Sequence, residues 1–471
     1  MRKTKIIATA GPSFSSTEVL RKGIEKGVDV IRINFAHGSY EQYTEIIKFI
    51  KQEAHSTSVC LLGDIAGPKL RALLHPLRQE IELTKNGVVC VSCDMSFPDD
   101  KYIYINYRDI VNDVKIGDRI LLDDGKIILK VVSKKGKDRL EAEVLQGGTV
   151  KNRKGINLPD SHIKLSPLTE KDLQDIDFAI ENGVNWLALS FVQTKEDILQ
   201  LKRYLGKNLE KVKIIAKIER PLALEYINEI IKEVDGIMIA RGDLGVEIEM
   251  KRLPVIQRNL IDIARKYHKV SIVATQVMES MIDSLSPKRP EVTDVYTAVI
   301  EGADAIMLSN ETSVGKHPIE TISTLEEIIR ETEKLNEIYY RTGGNLYFET
   351  ISDRICYAAV EMARVSSAKA IITMTYTGRS AFIISSFRPL ADIFAFTPNI
   401  HVIDALNMLW GVRAFFYDKF ISTDHTIKDI KTFLLKNGYV SENDIVVNVA
   451  SMPIHRAGPA NMIKVSYVYE D

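Results

Sequence analysis

The chain has 471 residues, a length that allows two to four domains at roughly 100–200 residues each. Lys and Arg number 62 against 63 Asp and Glu, so the strong basic excess that favours a nucleic-acid or acidic-membrane partner is missing. Four scattered cysteines are too few for a disulfide framework and no apolar run approaches the roughly 20 residues of a membrane span, which together predict a cytoplasmic protein.

Short apolar runs, typical of buried parallel strands, recur in two blocks. The first run follows a basic start, but it is too short for the core of a secretory signal and is interpreted as a strand. Helical stretches, including Ser16–Lys26, Tyr40–Glu53 and Lys195–Tyr204, separate most of the runs, and eight β-then-α units predict a closed barrel. The predicted strands are Thr4–Thr9, Val28–Ile33, Val59–Ile65, Trp186–Phe191, Val212–Ile218, Gly236–Ala240, Ser271–Thr275 and Ala305–Leu308.

The third unit of this barrel is interrupted. Between about residues 71 and 166 the pattern changes to short strands with turn signals at Asn86-Gly87, Asp124-Gly125 and Gly147-Gly148. We therefore predict a small β domain at residues 70–166, inserted between barrel segments 1–69 and 167–335. Cys90 and Cys93 lie on a predicted strand of this insertion without further zinc ligands at matching spacing, so we interpret them as structural.

A second α/β unit begins after about Leu335, and residues 336–471 are predicted to form a separate C-terminal domain. Ser380–Ser386 and Ile427–Lys436 are predicted to be helices. The predicted strands are Ala370–Met374, Ile393–Phe396, Val412–Phe416, Ile445–Val449 and Ile463–Val468.

Charged and polar residues follow most of the barrel strands, at the end where such barrels carry their active sites. Among them, the cations of Arg32, Arg71, Lys217 and Arg241 would converge with the carboxylates of Asp64, Glu219 and Asp243 on one mouth, which suits a multiply charged anion with a divalent metal. The alternative is that ionised residues simply gather in loops. The charged and polar residues that follow the barrel strands are Arg32, Asn34, His37, Asp64, Lys69, Arg71, Lys217, Glu219, Arg241, Asp243, Thr275, Ser309 and Glu311.

Two of these strand ends carry the sharpest signal. Lys217 and Glu219 are two residues apart and face one side, where the carboxylate could hold Mg²⁺ and the ammonium could neutralise a transferring phosphoryl group. A simple salt bridge would place the same pair there. In the ARGDLG segment, Gly242 permits close backbone approach and Asp243 could complete the metal site.

Longer motifs point to one family. The chain contains IIATAGPSF, VIRINFAHGS, GPKLR, KGINLP, LTEKD, IAKIER, IARGDLGVEI, VATQVMESM, EVTDV, GADAIMLSNETSVGKHP and TGRSA. In this order and spacing they resemble the pyruvate kinase family along the whole chain. The resemblance implies a (β/α)8 TIM barrel with an inserted β-barrel lid and a C-terminal α/β regulatory domain. It also implies transfer of the phosphoryl group of phosphoenolpyruvate to ADP with Mg²⁺ or Mn²⁺, a phosphorylated effector and a homotetramer.

The resemblance assigns roles to matching residues. Lys217 would stabilise the transferred phosphoryl group and the enolate, Glu219 and Asp243 would bind the divalent cation, Gly242 would help hold the substrate, and Thr275 would lie near the enolate carbon. The family's phosphate-binding positions correspond to Arg32 and Arg71. Its nucleotide-binding positions correspond to Asn34, His37 and Arg71. Its monovalent-cation positions correspond to Asn34, Asp64 and Lys69.

In the C-terminal domain the resemblance implies an effector phosphate site, over which His455-Arg456 would close. Hydroxyl groups, free backbone N–H groups and one guanidinium suit a phosphate there, although an ordinary capped helix has the same pattern. The residues are Thr375, Thr377, Gly378, Arg379 and Ser380.

Three departures from the family pattern concern potassium. Two oxygen donors of the family are replaced by Ala36 and Ile65, and a common Glu is Lys69. A lysine ammonium can stand in for a bound cation, and family members with Lys at this position look potassium-independent. We therefore expect that potassium is not required; a Lys69 that points to solvent is the alternative.

Two other functions remain open from the sequence. Barrel aldolases and lyases also hold enolates with Mg²⁺, but they would not require the insertion or the last domain. A catalytically inactive sensor would normally lack Lys217, Glu219 or Asp243, and all three are present.

Overall fold

The computed structural model describes residues 2–53, 59–96, 101–340, 348–419, 421–454 and 458–469. The first strands are buried along almost their whole length, as their apolar sequences require. Ser16 caps the first helix, because its side chain accepts a hydrogen bond from the N–H of Val19. The N-terminal elements are β1 (Lys5–Thr9), α1 (Thr17–Glu25), β2 (Val30–Asn34), α2 (Tyr40–Glu53) and β3 (Cys60–Ile65).

The insertion after β3 is a domain of short, mostly antiparallel strands, which we call the lid domain. Seven of its strands form a barrel-like sheet around a separate apolar core, and two more form a ribbon. At the predicted turn Asp124-Gly125 both residues adopt positive φ, which allows the chain to reverse. The elements are β4 (Ala72–Leu73), β5 (Glu80–Leu83), β6 (Val88–Ser92), β7 (Ile103–Ile105), α3 (Ile110–Asp113), β8 (Arg119–Leu122), β9 (Ile127–Lys135), β10 (Arg139–Gln146), β11 (Gly148–Lys151) and β12 (Ile156–Asn157).

The chain then returns to complete the barrel. Its remaining strands are β13 (Trp186–Leu189), β14 (Lys213–Ile218), β15 (Gly236–Ala240), β16 (Val270–Ala274) and β17 (Ala305–Leu308). Helices of this part are α4 (Glu170–Glu181), α5 (Lys195–Leu205), α6 (Pro221–Glu225), α7 (Ile227–Glu233), α8 (Arg241–Glu247), α9 (Leu253–Lys266), α10 (Arg289–Glu301), α11 (Asn310–Ser313) and α12 (Pro318–Thr332). Short 3-10 helices occupy Gly206–Glu210, Met250–Arg252, Glu279–Ile282 and Asn336–Ile338.

All eight predicted barrel strands are confirmed. They pair in the closed order β1-β17-β16-β15-β14-β13-β3-β2, and the parallel pairing of β1 with β17 closes the barrel. Because all strands run in the same direction, their carboxyl ends meet at one mouth. The expected (β/α)8 fold with an inserted lid domain is therefore present.

The C-terminal domain has a five-stranded sheet in the order β20-β19-β18-β21-β22, with the last strand antiparallel. The predicted strands are confirmed within about a residue, whereas two helices were not predicted, α13 (Ile351–Val365) and α15 (Ile400–Leu406). The other elements are β18 (Ala370–Met374), α14 (Arg379–Ser386), β19 (Asp392–Thr397), β20 (Val412–Phe416), α16 (Thr423–Lys436), β21 (Ile445–Ala450) and β22 (Met462–Tyr467).

Buried charges join this domain to the barrel. Lys3 donates to the carbonyls of Leu390 and Ala391 and pairs with Asp392 at 3.0 Å. Arg388 pairs with Asp304 of the barrel at 2.9 Å. Such groups need these partners, because an unpaired buried charge is costly. No helix in the described ranges is long and apolar enough to cross a membrane.

Candidate active site

Four charged side chains meet at the carboxyl ends of β2, β3 and β14. The Asp64 carboxylate accepts hydrogen bonds from Nε of Arg32 at 2.8 Å and from Nζ of Lys217 at 3.1 Å. Nζ of Lys217 also lies 3.0 Å from the carboxylate of Glu219. Because Arg32, Asp64 and Glu219 are buried, these ion pairs are shielded from water and hold Lys217 in one place.

The ion pairs stabilise the charged forms of Asp64 and Lys217. Burial would raise the pKa of Asp64, but Lys217 and Arg32 lower it below its usual value. Burial would also lower the pKa of Lys217, but Asp64 and Glu219 raise it above its usual value. Lys217 is therefore a cation at neutral pH, already placed to meet negative charge.

The helix α8 begins directly after β15 and brings Gly242 and Asp243 to the same mouth. The N–H of Gly242 donates to the hydroxyl of Thr275 at 2.7 Å, and a Cβ at Gly242 would lie only 3.3 Å from that oxygen. Thr275 follows β16 with φ of 65°, a conformation that any non-glycine residue rarely adopts. Gly242 and Thr275 therefore pack closely against one another at the barrel mouth.

Glu219 and Asp243 fit a hard divalent cation. Burial raises the pKa of Glu219, Lys217 opposes that effect, and the charge of Asp243 adds to it. The charged forms of two neighbouring carboxylates are stabilised when a cation lies between them. Mg²⁺ is commonly held by one or two carboxylates plus substrate oxygens, and Glu219 and Asp243 are two carboxylates at this mouth.

Arg241 lies at the end of β15, and its contacts are with the neighbouring strand end rather than with Lys217. Its guanidinium donates to the carbonyls of Thr275 and Gln276 at 2.9 and 3.0 Å and pairs with Asp294 at 2.7 Å. Thr275 and Gln276 both have positive φ and end the strand, so their carbonyls are available for this buried donor. Arg241 positions the end of β16.

The residues assigned to nucleotide and monovalent-cation binding lie mainly around the rim. Asn34 accepts a hydrogen bond from the N–H of Ala36 at 3.2 Å, and His37 is exposed. Arg71, at the junction with the lid domain, donates to the carbonyl of Arg153 at 2.9 Å. Lys69 is also exposed at that junction. The roles of these residues remain predictions.

Ser190 was not among the candidates from the sequence. Its hydroxyl accepts a hydrogen bond from Nζ of Lys217 at 2.7 Å, and the N–H of Phe191 donates to Glu219 at 2.8 Å. Both residues follow β13, the fourth barrel strand, whose end carries no charge. The position at a strand end was the only signal that could have identified Ser190.

The predicted effector segment connects β18 to α14. Gly378 has φ of 84°, and a Cβ there would lie 2.9 Å from Leu406, so glycine is required. Its N–H donates to the hydroxyl of Thr375 at 3.0 Å, and the hydroxyls of Thr373 and Ser380 are 2.7 Å apart. A cavity of about 380 Å³ beside this segment is lined by several further hydroxyl groups. The His455-Arg456 loop lies outside the described residues.

The closed barrel with its inserted domain has the architecture of a barrel enzyme. The fixed lysine and the two carboxylates at its mouth suit a phosphorylated anion and a hard cation. The pyruvate kinase barrel-domain family matches residues 1–322, and the pyruvate kinase alpha/beta-domain family matches residues 353–466. The chain belongs to the pyruvate kinase family, whose members are phosphotransferases.

Individual relatives agree over the full length. A pyruvate kinase of Clostridium perfringens is 37% identical, with 99% of this chain and 100% of the relative covered. One from Corynebacterium glutamicum is 35% identical, with 100% and 98% covered. A crystal structure of a pyruvate kinase from Cryptosporidium parvum superposes with a TM-score of 0.93 at 31% identity, covering 99% of this chain and 96% of that one.

Proposed function

We propose that this chain transfers the phosphoryl group of phosphoenolpyruvate to ADP, giving pyruvate and ATP in the last step of glycolysis. The observation that carries the proposal is the cation of Lys217, held by Asp64 and Glu219 at the barrel mouth beside Asp243. A coupled assay with phosphoenolpyruvate, ADP and Mg²⁺ tests it, and no pyruvate formation by the folded protein would contradict it. We also propose a cytoplasmic homotetramer.

In the proposed reaction, the bond between phosphorus and the enol oxygen breaks and a bond to the terminal phosphate oxygen of ADP forms. Lys217 neutralises charge on the phosphoryl group and on the enolate oxygen left behind, while Arg32 contacts the phosphate. Glu219 and Asp243 would hold Mg²⁺ or Mn²⁺, which would neutralise further phosphate charge. Thr275 is assigned to the enolate carbon, where a proton is delivered to give pyruvate.

We further propose that a phosphorylated metabolite activates the enzyme through the segment Thr375–Ser380. Activity at subsaturating phosphoenolpyruvate is expected to rise with a sugar phosphate or a nucleoside monophosphate. The variant Ser380→Ala should weaken this response, because Ser380 lines the adjoining cavity and its hydroxyl is a hydrogen-bonding group suited to phosphate. Ser366→Ala, at the exposed end of α13, is the matched control. A wild-type enzyme that responds to none of these compounds would end this proposal.

Potassium independence is proposed as well, with the ammonium of Lys69 in the role of the family's monovalent cation. Activity in a tetramethylammonium buffer is expected to change little when potassium chloride is added at constant ionic strength. Lys69→Glu should create a potassium requirement, because it removes the fixed positive charge. The control is Lys151→Glu, an exposed lysine of the lid domain. A large stimulation of the wild type by potassium would refute the proposal.

A further inference from the structure

A cavity of about 460 Å³ lies between the barrel and the C-terminal domain, at the end of the barrel opposite the candidate active site. We call it the interdomain cavity. Lys213 begins β14, Asp235 precedes β15 and Lys269 precedes β16, so three neighbouring strands begin at this cavity. The C-terminal domain closes the other side with Arg379 and Phe382 from α14.

The carboxylates around the interdomain cavity are already engaged. Asp235 accepts a hydrogen bond from the N–H of Ile214 at 3.0 Å and lies 3.4 Å from Lys213. One oxygen of Asp353 accepts from the N–H of Thr350 at 2.8 Å, at the start of α13, and the other lies 3.6 Å from the guanidinium of Arg379. The cationic residues lining the cavity are Lys213, Lys232, Lys269 and Arg379, against Asp235, Glu349 and Asp353.

Lys269 is a half-buried lysine of this cavity that has no direct partner among the described residues. Its ammonium makes no hydrogen bond or ion pair within the part of the chain that the structure describes. Burial lowers its pKa, and Asp235 opposes that effect only in part. A half-buried ammonium that lacks a partner is costly to keep charged, and a bound anion would supply the missing partner.

We propose that the interdomain cavity binds the phosphate group of a small phosphorylated metabolite. The phosphate would lie against Lys269, Lys213 and Arg379, because charge-assisted hydrogen bonds from lysine and arginine suit its oxygens. Tyr267 and Phe382 line the same cavity and offer apolar surface to the organic part. The volume falls within the range of about 300–1,000 Å³ that is usual for small-molecule sites.

This site differs from the proposed effector segment. The two cavities share Thr377 and Arg379, whereas Lys213 and Lys269 of the barrel line only the interdomain cavity and Ser380 lines only the other. A ligand in the interdomain cavity would contact the starts of the strands whose opposite ends carry or precede Lys217, Asp243 and Thr275. The inference goes beyond the proposed function and does not depend on it.

Equilibrium dialysis of the full chain with inorganic phosphate tests this proposal. Lys269→Met is expected to lose one bound phosphate per chain or to weaken its binding about tenfold or more, because a charged hydrogen-bond donor is removed. Lys269→Arg should retain the site. Lys195→Met is the matched control, since Lys195 pairs with Glu229 on the barrel surface. Circular dichroism confirms that each variant is folded, and Lys213→Gln provides a second, independent removal of charge.

Further variants separate this site from the effector segment. If the sites are distinct, Lys269→Met combined with Ser380→Ala should lose more phosphate than either single variant. A hexose phosphate or a nucleoside monophosphate should displace phosphate from the Lys269-dependent site. Wild-type phosphate binding by folded Lys269→Met and Lys213→Gln would overturn the proposal. So would a double variant that loses no more than Ser380→Ala alone, or displacement by neither competitor.

Discussion

Replacing Lys217 by Met is expected to lower the turnover number by about 10²–10³-fold or more. Methionine has a similar length but carries no charge, so it cannot neutralise a phosphoryl group in transfer or the enolate. The protein should still fold, because Asp64 keeps its ion pair with Arg32 and Glu219 keeps the N–H of Phe191. Steady-state kinetics at saturating phosphoenolpyruvate, ADP and Mg²⁺ measures the effect.

A matched substitution controls for the loss of a lysine elsewhere. Lys202→Met removes an ammonium that pairs with Glu233 at 2.7 Å on the outside of the barrel, and its turnover should stay close to that of the wild type. Thermal melting of both variants separates a loss of chemistry from a loss of folded protein. A folded Lys217→Met enzyme that keeps most of its turnover would show that the proposed role of Lys217 is wrong.

Removing either proposed metal ligand is expected to raise the Mg²⁺ concentration needed for half-maximal activity. Glu219→Ala and Asp243→Ala each delete a hard oxygen donor from the same cation, and one ligand alone should hold Mg²⁺ about tenfold or more weakly. Titrating Mg²⁺ against the initial rate measures the shift. Glu219→Gln and Asp243→Asn repeat the test at nearly constant volume, which limits any effect of an empty space.

The double variant and a surface control sharpen the metal experiment. Because the two carboxylates would share one ion, the effects of the two substitutions on metal affinity should not be additive. Glu229→Ala removes an exposed carboxylate that pairs with Lys195 and should leave the Mg²⁺ requirement unchanged. An unchanged half-saturating concentration in both single variants would count against a shared site.

The barrel strands could be predicted from local sequence patterns. Runs such as Trp186–Leu189 and Gly236–Ala240 are apolar at every position, because parallel barrel strands are covered on both faces. That signal lies within a few neighbouring residues and survives without tertiary context. Helices were recognised less completely, since the seven-residue α15 and the fifteen-residue α13 were both not predicted.

The order of the strands, the family resemblance and the residues that follow each barrel strand could be predicted from the sequence, because they depend on periodicities and motifs within short stretches of the chain. The partner of each charged side chain, in contrast, depends on the tertiary structure. Arg241 pairs with Asp294 rather than joining Lys217, and Ser190, far from Lys217 in sequence, accepts its hydrogen bond. The interdomain cavity arises in the same way, because Lys269 and Arg379 approach each other only when two domains pack. A buried charged side chain pairs with the oppositely charged groups that lie near it in the folded structure, and a local sequence pattern does not encode those distances.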